Sequence, residues 1–354
     1  MSIKRVAGLG LFILSAGMAL AGPPRSMRGD SDLARQAREL FGALPKVFES
    51  QLNPVTPAKI TLGKMLFYES RVSVDGTVSC VRCHPFSLYA QDGLPKSVGH
   101  DGQRNVRNSP TVLNAGGQIS AHWVGNRKDV EEQAEKAVLG AMSFGMPSNG
   151  AVEKILKGIG GYRPFFEKAF PGEPDPITVA NFGRAVGAFI RTLVTPDSFD
   201  NFMAGSDKAL TSAQKDGLRR FMETGCATCH AGAMIGGNKY EKFGLLQSYW
   251  RSTKSKDIDE GRVAVTKNED DRYVFKVPTL RNVEMTAPYF HDGSVAEMAE
   301  AISIMGKIQL GKALLGQEVE EIISFLKCLT GPIPEEALKV PVLPPSEPLA
   351  ARRP

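Results

Sequence analysis

Charge of one sign, long apolar runs and alternating strands are all scarce in this chain. Its 43 Lys and Arg oppose 38 Asp and Glu, and no basic run or aromatic-basic interleaving marks a face for nucleic acid or a membrane surface. Beyond the first 21 residues no stretch suits a bilayer span. No series of regularly spaced, alternating segments argues for a sandwich or barrel. Cysteine and histidine are scarce too, five of each, so a motif that uses most of them accounts for most of the thiol and metal-ligand chemistry available.

Such a motif occurs twice, as Cys80-Val81-Arg82-Cys83-His84 and Cys226-Ala227-Thr228-Cys229-His230. Two thiols three apart can add to the two vinyl groups of a haem, and the histidine that follows faces the iron. These are c-type haem attachment sites. Half a zinc ribbon, a dithiol redox pair or one four-thiolate zinc site would explain the cysteines but not a histidine directly after each pair. The pairs also lie 143 residues apart from Cys83 to Cys226, far beyond zinc-ribbon spacing. Two covalently bound haem c groups follow.

Residues 1–21 carry Lys4 and Arg5, an apolar run from Val6 to Leu20 and the small-residue triplet Ala19-Leu20-Ala21, the pattern of a secretory signal peptide. The mature chain is expected to start near Gly22, in the periplasm, with no membrane span left. Export removes two bases and no acids, so 41 Lys and Arg face 38 Asp and Glu, a formal +3, most of which four haem propionates cancel. The remaining 333 residues amount to about two domains by length, one haem each.

Helical periodicity runs through Ser31–Leu44, Thr56–Tyr68, Val130–Leu139, Ile177–Leu193 and Val319–Leu329. Thr56 before Pro57, and Thr211 or Ser212 ahead of Ala213–Thr224, read as helix starts. The expected fold is mainly α, two cytochrome c-like domains spanning residues 22–195 and 196–331, with Thr195-Pro196-Asp197-Ser198 as the hinge. No repeat is visible besides the haem motif. The proline-rich tail 332–354 is expected to lie extended on the surface, and Cys328 reads as a buried, inert thiol.

Each haem iron has a second face to fill. For the first haem His100, in Gly99-His100-Asp101-Gly102, is either a sixth ligand or a loop histidine facing solvent. For the second, Met285, Met298 and Met305 all follow His230 at workable distance, with His291 a rival ligand or supporting residue. A thioether there raises the potential and suits electron transfer.

From about Pro54 to Gly331 the chain resembles the bacterial dihaem cytochrome c peroxidases. The resemblance rests on both haem motifs, Gly99–Gly102, Arg107-Asn108-Ser109-Pro110-Thr111-Val112-Leu113-Asn114, Trp123, Gln133, Phe275-Lys276-Val277-Pro278-Thr279-Leu280-Arg281-Asn282 and Ala287–Gly293. It implies that His100 is a distal ligand released on activation, that Met305 is the methionine ligand of the electron-entry haem, and that Trp123 lies between the haems. It further implies that Gln133 is the distal glutamine, and that Asn108 with the carbonyls of Thr286 and Pro288 holds Ca²⁺ between the domains. Oxygen-only ligation suits that ion. A homodimer is common in the family, and no residue here derives it.

One departure stands out. Ten residues after Gln133, where the family pattern has a glutamate, this chain has Ser143. Cleaving the O–O bond of a peroxide needs a proton moved from the inner oxygen to the outer one, and a positioned acid-base group contributes about 10²–10⁴ in rate. Glu131, Glu132 and Glu135 are candidates to replace it, although they read as a solvated face. The leading expectation is a periplasmic enzyme that reduces hydrogen peroxide with electrons from a small cytochrome c or copper protein. The alternatives are a dihaem electron carrier and a protein-oxidising dihaem enzyme.

Overall fold

Two glycines set the helix crossings around which each half is built. In the computed structural model, which describes residues 30–346, the helix Pro57–Phe67 starts at Thr56, whose hydroxyl accepts the Lys59 N–H, with Pro57 where no N–H is needed. It crosses the helix Val179–Ile190 at Gly63, where a Cβ would lie 1.9 Å from the Ala185 carbonyl oxygen. In the second half the helix Ser212–Thr224, capped reciprocally by Thr211 and Gln214, crosses the helix Gly316–Lys327 at Gly217. A Cβ there would lie 2.0 Å from the Glu321 carbonyl oxygen. Both crossings bring backbones closer than any side chain permits.

The chain thus folds, as expected, into two mainly helical, cytochrome c-like domains. One core gathers Leu62, Phe67, Phe86, Ala134, Phe182 and Phe189; the other gathers Phe199, Leu218, Phe221, Ile322 and Phe325. The described residues form one two-stranded antiparallel sheet, Tyr240–Lys242 against Val274–Lys276. The helices Asn149–Lys157, Arg163–Ala169, Ser198–Met203 and Met298–Leu310 are additional to those expected from periodicity.

Three expectations are corrected. First, the termini cross over. Leu33, Ala37 and Phe41 of the helix Asp30–Phe41 pack in the second core, with the Phe41 and Phe199 rings 5.4 Å apart. The tail packs on the first core through Ile333, Ala337 and Leu343, forms a helical turn at Glu335–Leu338 and is tied by Arg71 to the Pro344 carbonyl at 2.9 Å. Apolar residues spaced between the prolines drive this, with Ala337 buried and Ile333 and Leu343 partly so. A boundary cut at residue 195 therefore divides the chain but not the packing.

Second, the expected hinge is a buried clamp. Thr195 Oγ1 accepts from the amides of both Asn114, at 2.7 Å, and Asn282, at 2.9 Å. Asp197 caps the next helix and pairs with the fully buried Arg281 at 2.6 Å.

Third, the haem motif is not alone in repeating. Pro110-Thr111-Val112-Leu113-Asn114 and Pro278-Thr279-Leu280-Arg281-Asn282 lie 168 positions apart, counted from Asn114 to Asn282, and the same backbone follows each. Asn114 and Asn282 are both left-handed (φ 59° and 61°), as are His122 and Phe290 (65° and 70°) and Gly125 and Gly293 (64° and 63°). Bridges join Ala121 to Arg127 and Tyr289 to Val295. At the domain boundary the Asn108 N–H donates to the His291 carbonyl, and the Lys276 N–H to the Trp123 carbonyl, both at 2.7 Å. Asn108 corresponds to Lys276 and Trp123 to His291 under that offset, so the contact is self-complementary, as across a two-fold axis.

The signal-peptide residues 1–21 and the last residues of the tail lie outside the described residues.

Candidate dihaem active site

Cys80–Cys83 form a single helical turn closed by His84, and Cys226–Thr228 form a tighter one that leads to Cys229 and His230. Burial raises all four thiols, Cys80 to about 12 and Cys226 to about 11. No group of three or more His, Cys, Asp or Glu converges among the described residues. The thiols therefore do not assemble the four-thiolate zinc site.

Both histidines are prepared as ligands. Burial lowers the pKa of each, that of His230 to about 4, which keeps the rings neutral. His84 Nδ1 lies 3.1 Å from the Ala90 carbonyl and His230 Nδ1 lies 3.4 Å from the Ile235 carbonyl. A carbonyl only accepts, so Nδ1 carries the proton and Nε2 keeps its lone pair for iron.

The second motif opens onto a cavity of about 240 Å³ lined by Cys226, Cys229, His230, Met298, Met305 and, from the other domain, Trp123. Of the three candidate methionines, Met285 is absent from that lining and is exposed. His291 lines the cavity too, with its Nε2 buried and unpartnered. An apolar cavity with protonated thiols and a neutral imidazole on its wall fits a covalently held haem.

The comparisons identify the family. The family described as di-haem cytochrome c peroxidase matches residues 57–208. A cytochrome c551 peroxidase of Pseudomonas aeruginosa is 40% identical over 348 residues, 98% of this chain and 97% of the relative. One from Nitrosomonas europaea is 41% identical over 286 residues, 80% of this chain and 83% of the relative. The crystal structure of a MauG-like protein associated with microbial copper homeostasis superposes with a TM-score of 0.72 at 26% identity, over 84% of this chain and 97% of that one. This chain belongs to the di-haem cytochrome c peroxidase family. It is a peroxide-reducing oxidoreductase with two haem c groups.

In the first domain of this peroxidase, His100 is buried rather than facing solvent. Its Nε2 donates to the Ala141 carbonyl at 2.7 Å, and its ring lies over Gly145, where a Cβ would come within 2.4 Å of Nε2. The backbone N–H of His100 donates to the Ser143 carbonyl at 3.0 Å. The Ser143 hydroxyl turns back into its own loop, sharing its proton between the Ala137 and Gly140 carbonyls at 2.9 and 3.1 Å. Gln133 Oε1 is buried with no protein partner, an acceptor left for something bound beside it.

The three glutamates are not a solvated face. Glu131 is nearly buried and pairs through both oxygens with Arg191, at 2.7 and 2.9 Å, with Asn53 on the same carboxylate. Asp129 caps the helix by accepting the Glu132 N–H at 2.8 Å, the Glu132 carboxylate accepts the Lys128 N–H at 2.6 Å, and Glu135 pairs with Lys136. The helix Val130–Ala137 packs tightly against Val179–Ile190, and that packing is what turns Glu131 inward.

Between the domains the Trp123 indole N–H donates to the Asn108 carbonyl at 2.9 Å. Asn108, Thr286 and Pro288 line the same cavity as Trp123. The Asn108 amide nitrogen is committed to the Leu94 carbonyl at 2.9 Å, which leaves its oxygen as the acceptor. Lys276 is a site residue that sequence reasoning passed over. It sits in the cavity wall, buried, with burial lowering its pKa to about 7. Its setting between Phe275 and Val277 was the available signal.

Proposed function

We propose that this peroxidase works in the periplasm, receives electrons on the Met305 side and uses them to reduce hydrogen peroxide on the His84 side. The observation that carries this is that Trp123, a residue of the first domain, lines the haem cavity of the second together with His230 and Met305. When bound, the two haems supply the redox chemistry, one taking single electrons from a small cytochrome c or copper protein and the other reducing peroxide to water.

The protein's own groups do the positioning. His84 and His230 would hold the haem irons through neutral Nε2 atoms, and Met305 would add a thioether ligand from the cavity wall. His100 is the releasable ligand of the first site, and the Ala141 carbonyl gives its Nε2 a partner when it is off the iron. Gln133 offers its free Oε1 to the peroxide O–H. Asn108 and the carbonyls of Thr286 and Pro288 hold Ca²⁺ by oxygens alone. No helix among the described residues is long and apolar enough to cross a membrane, and the expected leader at residues 1–21 accounts for export.

Ser143 makes the enzyme slow. Its proton is engaged by two backbone carbonyls, and Glu131, Glu132 and Glu135 are each engaged elsewhere, so none of them stands where the family's glutamate moves the proton. The same fact favours the second reading, an electron carrier on a peroxidase scaffold. Visible and EPR spectra of the holoprotein, oxidised and then half-reduced with Ca²⁺, separate the two. A high-spin haem that peroxide rapidly oxidises, with turnover of a reduced cytochrome c, supports the peroxidase. Two low-spin haems unreactive to peroxide overturn it.

A further inference from the structure

The two-fold relation between the domains pairs the calcium ligands with a second set of groups. Under the 168-residue offset Asn108 falls on Lys276, Thr286 on Gln118 and Pro288 on Ser120. On one side of the axis Asn108, Thr286 and Pro288 line the cavity, and on the calcium reading the Asn108 side-chain oxygen and the other two carbonyls are the ligands. On the other, Lys276 Nζ donates to the Ser120 carbonyl at 2.7 Å and to the Gln118 side-chain carbonyl. The hydrogen bonds that lock the two halves together, Asn108 N–H to His291 and Lys276 N–H to Trp123, come from the backbones of these same two residues.

The chemistry of the second set is that of a cation site. Lys276 is only 6% exposed, and its two partners are neutral oxygens with no carboxylate among them. A buried ammonium without a carboxylate is costly and is retained where a positive charge is itself required. We propose that the Lys276 ammonium is a built-in cation occupying the two-fold mate of the calcium site, so that the interface takes one Ca²⁺ rather than two. The loop that carries Trp123 is then held without metal, whereas the loop that carries His291 depends on Ca²⁺. This rests on the calcium reading of Asn108.

The test is calcium titration of the holoprotein by calorimetry, with thermal unfolding of the same samples. Wild type is expected to bind one Ca²⁺ per chain, Lys276→Asn two and Asn108→Lys none, the last with unfolding indifferent to calcium. One Ca²⁺ in both wild type and a folded Lys276→Asn overturns the proposal while sparing the Asn108 site. None in wild type but one in Lys276→Asn sinks the Asn108 reading and sustains the Lys276 site. None in either sinks both. Should Lys276→Asn not fold, Asn108→Lys decides: calcium-dependent unfolding in that variant overturns the proposal. An unchanged stoichiometry with a shifted potential of the second haem assigns Lys276 to a haem propionate instead, and also overturns it.

Discussion

The rings of Trp123 and His291 meet edge to face, centroids 6.4 Å apart and planes at 73°, at equivalent positions of the two domains. The contact sits where the domains exchange their reciprocal backbone hydrogen bonds. Trp123→Phe keeps an aromatic ring but loses the indole N–H bond to Asn108. It is expected to cost about 1–3 kcal/mol of stability and to slow electron transfer between the haems in stopped-flow while both haem spectra stay as in wild type. An unchanged transfer rate would remove Trp123 from the path.

Placing a carboxylate at Ser143 tests whether an acid-base group there limits the rate. Ser143→Glu is expected to raise the rate of peroxide reduction by roughly 10² or more, within the ~10²–10⁴ that such a group contributes, whereas Ser143→Ala changes it little because the hydroxyl faces its own backbone. Steady-state turnover with reduced cytochrome c compares the three. A rate in Ser143→Glu no higher than wild type would rule out the missing acid as the limit.

The Glu131–Arg191 pair links acid stability to packing. Burial pushes the Glu131 carboxyl up, but hydrogen bonds from Arg191 and Asn53 outweigh it and hold the group below its usual range. A lowered carboxyl adds stability that is complete above its unfolded value, about 4.3, and is lost as pH falls through the folded value. Glu131→Gln leaves Arg191 buried without its counter-charge. It is expected to cost about 3–5 kcal/mol at neutral pH and to shrink the loss on acidification, as read by denaturant unfolding at pH 7 and below 4. Equal acid sensitivity in both proteins would count against the assignment.

The helix crossings permit no Cβ. Gly63→Ala forces a methyl to within 1.9 Å of a carbonyl oxygen and Gly217→Ala does so to within 2.0 Å, so each is expected to cost about 3 kcal/mol or more through displaced helices. Thermal unfolding checks this, and a loss below about 1 kcal/mol in either would show that the crossing yields.

Met305 is the remaining ligand to test. Met305→His is expected to lower the potential of that haem by a large part of the ~0.8 V over which axial ligands act, with its methionine-type spectrum replaced. A potential and spectrum unmoved by the change would point instead to Met298, which lines the same cavity.

How much was legible follows from how local each feature is. Haem attachment needs five consecutive residues, so both sites could be read directly. Helix starts at Thr56 and Thr211 were equally plain, because a cap and its partner lie three residues apart. The inward turn of Glu131 was hidden, since its partner Arg191 is 60 positions away and a run of acids otherwise looks solvated. The clamp at Thr195 was hidden for a like reason: turn-forming residues suggested a hinge, and only the amides of Asn114 and Asn282 close it.

The sequence by itself determined the cofactor chemistry and the helical class, because covalent attachment and periodicity are properties of short segments. Tertiary structure alone decided that Asn108 and Lys276 stand as mates across one interface, that His291 answers Trp123, and that each terminus packs on the opposite domain. Asn108 and Lys276, like Trp123 and His291, lie 168 positions apart with side chains that differ, so only the shared backbone geometry reveals them as mates.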